Sequence, residues 1–336
     1  MVKNSSALQH LWQRGCDFLG TPLAIMGGAM SWVSERHLVA ALSNNNGFGT
    51  IACGSMMPAL LRAEIQGTKA LTQKPFGVNL ITMHPQLDEL IDVCLNEKVT
   101  HIVLAGGLPP APAIKKIKEG GAKLMCFTPT AALGKKLIRS GADALIIEGM
   151  EAGGHIGPVS TSVLAQEILP EIRDVPVFVA GGIGRGEAIV SYLEMGASGV
   201  QLGTRFVCAS ECIAHPKFKQ AFIRANARDA MPSVQLDARF PIIPVRAIVN
   251  EGNRKFMDKQ RETIARFDAG ELSKEQAQLE IEHFWAGALR RAVIEGDVET
   301  GSVMAGQSVG MVTREQPIAE ILADLLAQAE QALENR

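Results

Sequence analysis

The chain has 336 residues, is 47% hydrophobic and 5% aromatic, contains 33 glycines and carries a formal net charge of −2. Its length allows one large domain or two ordinary ones. The near-neutral balance argues against a basic nucleic-acid surface, and no apolar run reaches the ~18 residues of a membrane span.

The start, Met1-Val2-Lys3-Asn4-Ser5-Ser6, lacks the apolar core of a signal peptide. Cysteines 16, 53, 94, 126, 208 and 212 are scattered along the chain. Reduced thiols and a cytoplasmic location are expected. Cys208-x3-Cys212 has no second ligand pair beside it, so no metal site is expected.

In chain order, a short apolar strand, Leu23-Ala24-Ile25-Met26, runs into Gly27-Gly28-Ala29-Met30. A helix should follow from Ser34, its N-cap, to Asn45, with Asn46-Gly47 as the stop. The second strand is Phe48 to Cys53, and Pro58 opens a helix to Thr72. Strand 76–80, helix 86–97, strand 102–105, helix 111–119, strand 123–127 and helix 130–140 continue the alternation. A sixth strand, Ala144-Leu145-Ile146-Ile147, ends at Glu148. Helix 162–172, strand 175–180, helix 186–194 and strand 199–202 complete the series.

Short apolar runs rather than alternating ones mark strands buried on both faces of a parallel sheet. Eight of them, each leading to a helix, favour a closed (β/α)8 TIM barrel. No Gly-x-Gly-x-x-Gly follows the first strand, which argues against a Rossmann domain. After Arg205 the pattern changes. Segments 211–228, 250–268 and 273–294 read as amphipathic helices. The expected division is therefore a barrel of residues 1–207 and 301–336, with a smaller helical insertion domain, 208–300, over its mouth. A last helix covers 315–335.

Chemistry in such barrels sits where strands end and βα loops begin. The sixth strand ends in Glu148-Gly149-Met150-Glu151-Ala152-Gly153-Gly154-His155-Ile156-Gly157. Glycines there allow close approach of a ligand, and a histidine can hold or move a proton near neutral pH. The seventh ends in Ala180-Gly181-Gly182-Ile183-Gly184 and the eighth in Gln201-Leu202-Gly203-Thr204. Gly-rich turns after the last two strands are the usual phosphate site of this fold, held by backbone N–H groups. With Met26, Gly27 and Gly28 at the first strand and Asn79 at the third, they suggest a long, flat, phosphorylated ligand. Flavin mononucleotide fits, and residue types alone leave a sugar phosphate open.

Ile147 to Gly157, Ala180-Gly181-Gly182-Ile183-Gly184 and Gln201-Leu202-Gly203-Thr204-Arg205-Phe206 together resemble the nitronate monooxygenase / enoyl-ACP reductase II family. The resemblance runs from Met26 to about Glu320. It implies an FMN-dependent (β/α)8 barrel with a helical insertion. Carried over by position, Asn79, Glu148, Gly153, Gly154, Ala180, Gly181, Gly182, Gln201, Gly203 and Thr204 would contact FMN, and His155 would be catalytic.

Two activities compete within that resemblance. Gly296-Asp297-Val298-Glu299-Thr300-Gly301-Ser302-Val303-Met304-Ala305-Gly306-Gln307, Glu148 and Arg205 are similar to the reductase branch. That branch uses NADH or NADPH to reduce a 2-enoyl thioester. Gly107-Leu108-Pro109-Pro110 resembles the monooxygenases, which oxidise alkyl nitronates with O2. The resemblance also admits an acyl carrier protein as partner and a homodimeric assembly.

Met304, Gln307 and Trp285 are candidates for the substrate pocket, with core packing the alternative for Met304 and Trp285. His215 is expected to cap a helix, and His37, His84 and His101 to be structural. Lys115-Lys116-x-Lys118, Lys135-Lys136 and Arg290-Arg291 are solvated faces or a carrier-protein contact. Cys53 has no adjacent histidine and is expected to be inert. A flavin-binding protein without turnover is a further alternative. A flavin-free aldolase barrel would need a strand-end lysine, and none is expected.

Overall fold

The apolar runs become strands because helices cover one face of them and the barrel interior the other. The computed structural model describes residues 6–54 and 56–336. The reading of the chain start as leaderless therefore rests on residues almost wholly outside the described ones. The parallel strands are β1 (Ile25–Gly27), β2 (Gly49–Ala52), β3 (Phe76–Ile81), β4 (His101–Ala105), β5 (Lys123–Phe127) and β6 (Ala144–Glu148). A two-residue strand, β7 (Gly154–His155), lies in the loop after β6, and β8 (Val177–Ala180) and β9 (Gly199–Leu202) complete the set.

The strands run in the order β1-β9-β8-β6-β5-β4-β3-β2. A parallel bridge between Met26 and Phe48 closes the ring. Phe48 N–H donates to Ile25 O at 2.9 Å and Gly27 N–H donates to Phe48 O at 2.8 Å. The protein is thus a TIM barrel. Its outer ring is α2 (Arg36–Asn44), α3 (Pro58–Leu71), α4 (Leu87–Asn96), α5 (Ala111–Glu119), α6 (Ala131–Ser140), α7 (Thr161–Ile168) and α8 (Gly186–Glu194), with α1 (Ser6–Leu19) preceding β1.

Helix α1 is an addition to the expected elements. It buries Leu8, Trp12, Cys16 and Leu19 and stops the N-terminal end of the barrel. Phe18 packs on His101 and Phe178, and its carbonyl accepts from Lys123 Nζ. His101, expected to be structural, sits there with Nε2 2.9 Å from that carbonyl.

The excursion over the mouth contains α9 (Pro216–Arg224), β10 (Ala230–Pro232), β11 (Val245–Ile248), α10 (Glu251–Asp268), α11 (Lys274–His283) and α12 (Ala288–Arg290). The segment is therefore not helical throughout: β10 and β11 join β7 in an antiparallel sheet of order β10-β11-β7. The helix expected over 273–294 stops at His283, and Gly287, with a φ of +70°, separates it from α12. Phe240, Phe256, Ala277 and Ile281 form a small separate core. Trp285 belongs to it, 5.5 Å from the Phe256 ring, so its role is packing.

The chain returns through a loop to α13 (Ile318–Glu334), which packs on α8 and α1. His215 caps α9 as expected, its Nδ1 accepting from Lys217 N–H. Ser34 does not cap α2. Glu35 does, accepting from His37 and Leu38 N–H, because the helix starts at Arg36. Ser34 Oγ instead donates to Gly28 O and accepts from Met30 N–H, pinning the loop after β1. Among the described residues no helix is long and apolar enough to cross a membrane.

Candidate active site

Register decides which side chains enter the barrel. Met26, Gln201, Ala180 and Glu148 are successive Cα partners across β1, β9, β8 and β6. Paired residues in a sheet share a face. Ala52, Asn79 and Val103 form the corresponding row across β2, β3 and β4. The bottom-end residues on the same inward parity include Phe48, His101 and Phe178. Asn79, Glu148 and Gln201 therefore project inward at the C-terminal mouth, from well-separated strands of one ring.

These three side chains have a common peculiarity. Asn79 and Gln201 are 6% and 7% exposed, yet neither amide is hydrogen-bonded to any described residue. Glu148 is likewise alone, and burial pushes its carboxyl up to about 7. Buried polar groups are normally paired. None of the three is sealed from solvent, so all face a space that a polar ligand can fill.

The turns after β8 and β9 lie beside that space. Gly181 and Gly182 take φ values of +95° and +73°. Among the described residues, the N–H groups of Gly181, Gly182, Gly203 and Thr204 find no acceptor. Four open donors over two adjacent turns suit an anion. The Thr204 hydroxyl accepts from Gly306 N–H at 2.9 Å, tying this turn to the C-terminal loop.

The glycines differ in what they make room for. A side chain at Gly28 would meet Gln201 and Gly203 at the mouth. One at Gly27 would strike Leu42, so that glycine serves helix packing on the outer face. One at Gly153 would lie 2.6 Å from Gly306 N and 2.7 Å from Ala305 C. Gly153 thus admits the returning loop. At Gly154, φ is +81° and the nearest atom to a side chain would be Met304 Sδ, at 3.6 Å.

The loop carrying His155 is held by groups that sequence reasoning missed. Glu151 Oε2 accepts from Thr161 N–H and Oγ1, both at 2.9 Å, and Glu151 O accepts from Gln307 N–H at 2.9 Å. Arg246, 2% exposed, donates from Nε to Met150 O at 2.9 Å and from Nη1 to Ala230 O at 2.5 Å. Its Cα partner is Gly154, and that of Val245 is His155. A charged residue inside the run Val-Arg-Ala-Ile was the one available signal. Met304 bridges Ala247 on the same sheet.

The loops that carry His155, Met304 and Gln307 are thereby brought together. His155 is an exposed residue, and partial desolvation against the loops around it lowers its imidazole pKa. At pH 7 it is a neutral group, one nitrogen donating and the other accepting.

All six cysteines are buried and free, and burial pushes Cys53 up to about 12, so it is no nucleophile at neutral pH. Among the described residues no cluster of His, Cys, Asp and Glu could hold a metal ion. The basic runs are largely paired within the chain, Lys116 with Asp88 and Asp92, Lys118 with Asp143, Lys135 with Glu171, and Arg290 with Glu295.

The family model described as nitronate monooxygenase matches residues 13–328. A carboxyl-CoA dehydrogenase of Rhodococcus jostii, acting on a 5-hydroxy-7a-methyl-1-oxo-octahydro-1H-indene-4-carboxyl group, is 28% identical, over 93% of this chain and 94% of its own. A nitronate monooxygenase of Paraburkholderia phytofirmans is 27% identical, over 94% of each chain. The solved structure of FabK from Thermotoga maritima superposes with a TM-score of 0.87 at 36% identity, covering 96% of this chain and 97% of that one.

Proposed function

The chain belongs to the nitronate monooxygenase family and is an FMN-dependent oxidoreductase; from that premise we propose that it reduces a 2-enoyl thioester with NADH or NADPH. The observation that carries this reading is where the reductase-like stretch lies. Gly296 to Gln307 resembles the enoyl-ACP reductase II branch, and its end is laid along Gly153 and Gly154 beside His155. The coenzyme A thioester named for the Rhodococcus relative supports the substrate class. An acyl group on coenzyme A or on a carrier protein presents the same chemistry. Relatives named for their activities leave no reason to keep a flavin-binding role without turnover.

The residues present fit FMN. Asn79, Glu148 and Gln201 lack partners among the described residues and would meet the polar edges of the ring and ribityl chain. The open N–H groups of Gly181, Gly182, Gly203 and Thr204 would hold the phosphate. When bound, FMN supplies hydride transfer between nicotinamide and substrate. Reduction places a hydride on the β-carbon and a proton on the α-carbon of the thioester. His155, neutral at pH 7, donates a hydrogen bond to the thioester carbonyl oxygen and so stabilises the enolate that hydride addition creates, and the α-carbon takes its proton from a water, whose hydroxide the solvent neutralises. Arg246 and Glu151 hold its loop in place, and Met304 and Gln307 line the acyl side.

Replacing His155 with Ala is expected to cut enoyl-thioester turnover by about 10²–10⁴-fold while flavin absorbance is retained; unchanged turnover overturns its role. The acid limb of the kcat/KM profile assigned to His155 should lie below the ordinary histidine value, because its pKa is lowered by desolvation.

A second reading, oxidation of alkyl nitronates with O2, is favoured by the Gly107-Leu108-Pro109-Pro110 rim after β4 and by the Paraburkholderia relative. The two separate in one assay. Anaerobic NAD(P)H bleaching of the flavin, reversed by crotonyl-CoA, supports the reductase. O2 uptake with propane 2-nitronate and no NAD(P)H oxidation supports the monooxygenase.

A further inference from the structure

Behind the Gly181-Gly182 turn lies a separate cavity of about 430 Å³, bordered by Gly184, Arg185, Arg205, Arg314, Gln316 and Asp324 among others. Three arginines face one carboxylate across it. Arg185 also pairs with Glu187 and Arg314 contacts Glu320 at 3.4 Å, and all four of those side chains are about half exposed. Arg205 differs. Its side chain is 8% exposed, yet among the described residues its only side-chain hydrogen bond runs from Nη2 to Gln316 Oε1 at a long 3.4 Å. Asp324 stands 4.0 Å away and already accepts from Gln316 Nε2 at 3.0 Å. Nε and Nη1 of Arg205 meet no acceptor among the described residues, and neither is sealed from solvent.

A nearly buried guanidinium normally has its fork of donors filled by a carboxylate or phosphate. Here the fork opens into a cavity whose neighbours add like charge. None of Asn79, Glu148, Gln201 and the two glycine turns lines it; it is bordered by Gly184, packed on Met311 Sδ, and by Asp324 and Gln328 of α13.

From this arrangement we propose a second anion site, separate from the flavin phosphate nest, that takes a phosphate dianion on Arg205, Arg314 and Arg185. The dianion comes either from free phosphate or from the phosphate monoester of a nucleotide. The proposal is independent of which substrate the enzyme turns over.

The test is calorimetric titration of the flavin-loaded enzyme at low ionic strength with inorganic phosphate and, separately, with AMP. One saturable site is expected, weakened at least about tenfold by Arg314→Ala, since hydrogen bonds to charged groups are worth about that much. Arg205→Gln should abolish it. Because Arg205 is buried and its variant risks misfolding, Arg185→Ala and Arg314→Ala, which change exposed side chains, decide the case. Flavin content should match wild type in both. AMP binding tighter than phosphate supports the site with a nucleotide as source; equal or weaker binding supports it with free phosphate. Absence of saturable binding of either probe, or binding indifferent to Arg314→Ala and Arg185→Ala, overturns the proposal.

Discussion

At Glu148, burial is what raises the carboxyl to about 7 from an ordinary 4.5, because no cation or donor among the described residues reaches it. Between those two values the unfolded chain releases a proton that the folded chain keeps. The stability this group contributes is complete below pH 4.5 and is lost as pH rises through about 7. Glu148→Gln should therefore leave the melting temperature of flavin-free protein unchanged near pH 4.5. At pH 7.5 it should stabilise by on the order of 2 kcal/mol, a figure reduced from the full shift because water reaches the mouth. Thermal melts across that range check it, and a difference independent of pH would remove desolvation as the cause. The same residue shows what a strand-end carboxylate hides in sequence. Its position was legible, whereas its lack of partners depends on what the seven other strands bring to the ring.

At the scale of elements, two loops meet so closely at Gly153 that their backbones leave no space for a methyl group. Gly153→Ala would set a Cβ 2.6 Å from Gly306 N, and neither backbone is the flexible end of a side chain. A loss of roughly 1–3 kcal/mol is expected, together with a raised KM for the acyl substrate as the 301–307 loop moves off. Gly157→Ala, with nothing within 4 Å and no positive φ, is the matched control and should be neutral by the same melts and kinetics. The barrel strands were legible because each is an apolar run between glycine turns. The pattern of α1 was legible too, in Leu8, Leu11, Trp12, Cys16 and Leu19 at helical spacing. Strands β10 and β11 were not. They are three and four residues long, one ends in Pro232, and the other carries Arg246, whose partners are carbonyls 96 and 16 residues away. Glycine positions were visible in the sequence, but not whether each yields to a ligand, as at Gly28, or to the protein itself, as at Gly27 and Gly153.

Across the whole molecule the two ends of the barrel are built in opposite ways. At the bottom, α1 closes the interior, and His101 and Lys123 both find the Phe18 carbonyl. At the top, Asn79, Glu148, Gln201 and the N–H groups of two turns have no partner among the described residues. A fold that pairs His101 and Lys123 at one end and leaves a ring of inward polar groups open at the other gains stability from whatever fills the open end. A ligand that binds only the folded state adds about 2.7 kcal/mol at a hundredfold excess over its Kd. Stripping the flavin should thus lower the melting temperature by several degrees, and titrating FMN back should raise it with the logarithm of its concentration. Riboflavin keeps the ring and ribityl chain but lacks the phosphate. It should engage Asn79, Glu148 and Gln201 and leave the Gly181-Gly182 and Gly203-Thr204 donors to water, so its shift at equal concentration should be smaller. Equal shifts for the two would remove the phosphate from those turns, and no shift with either would remove FMN from the mouth.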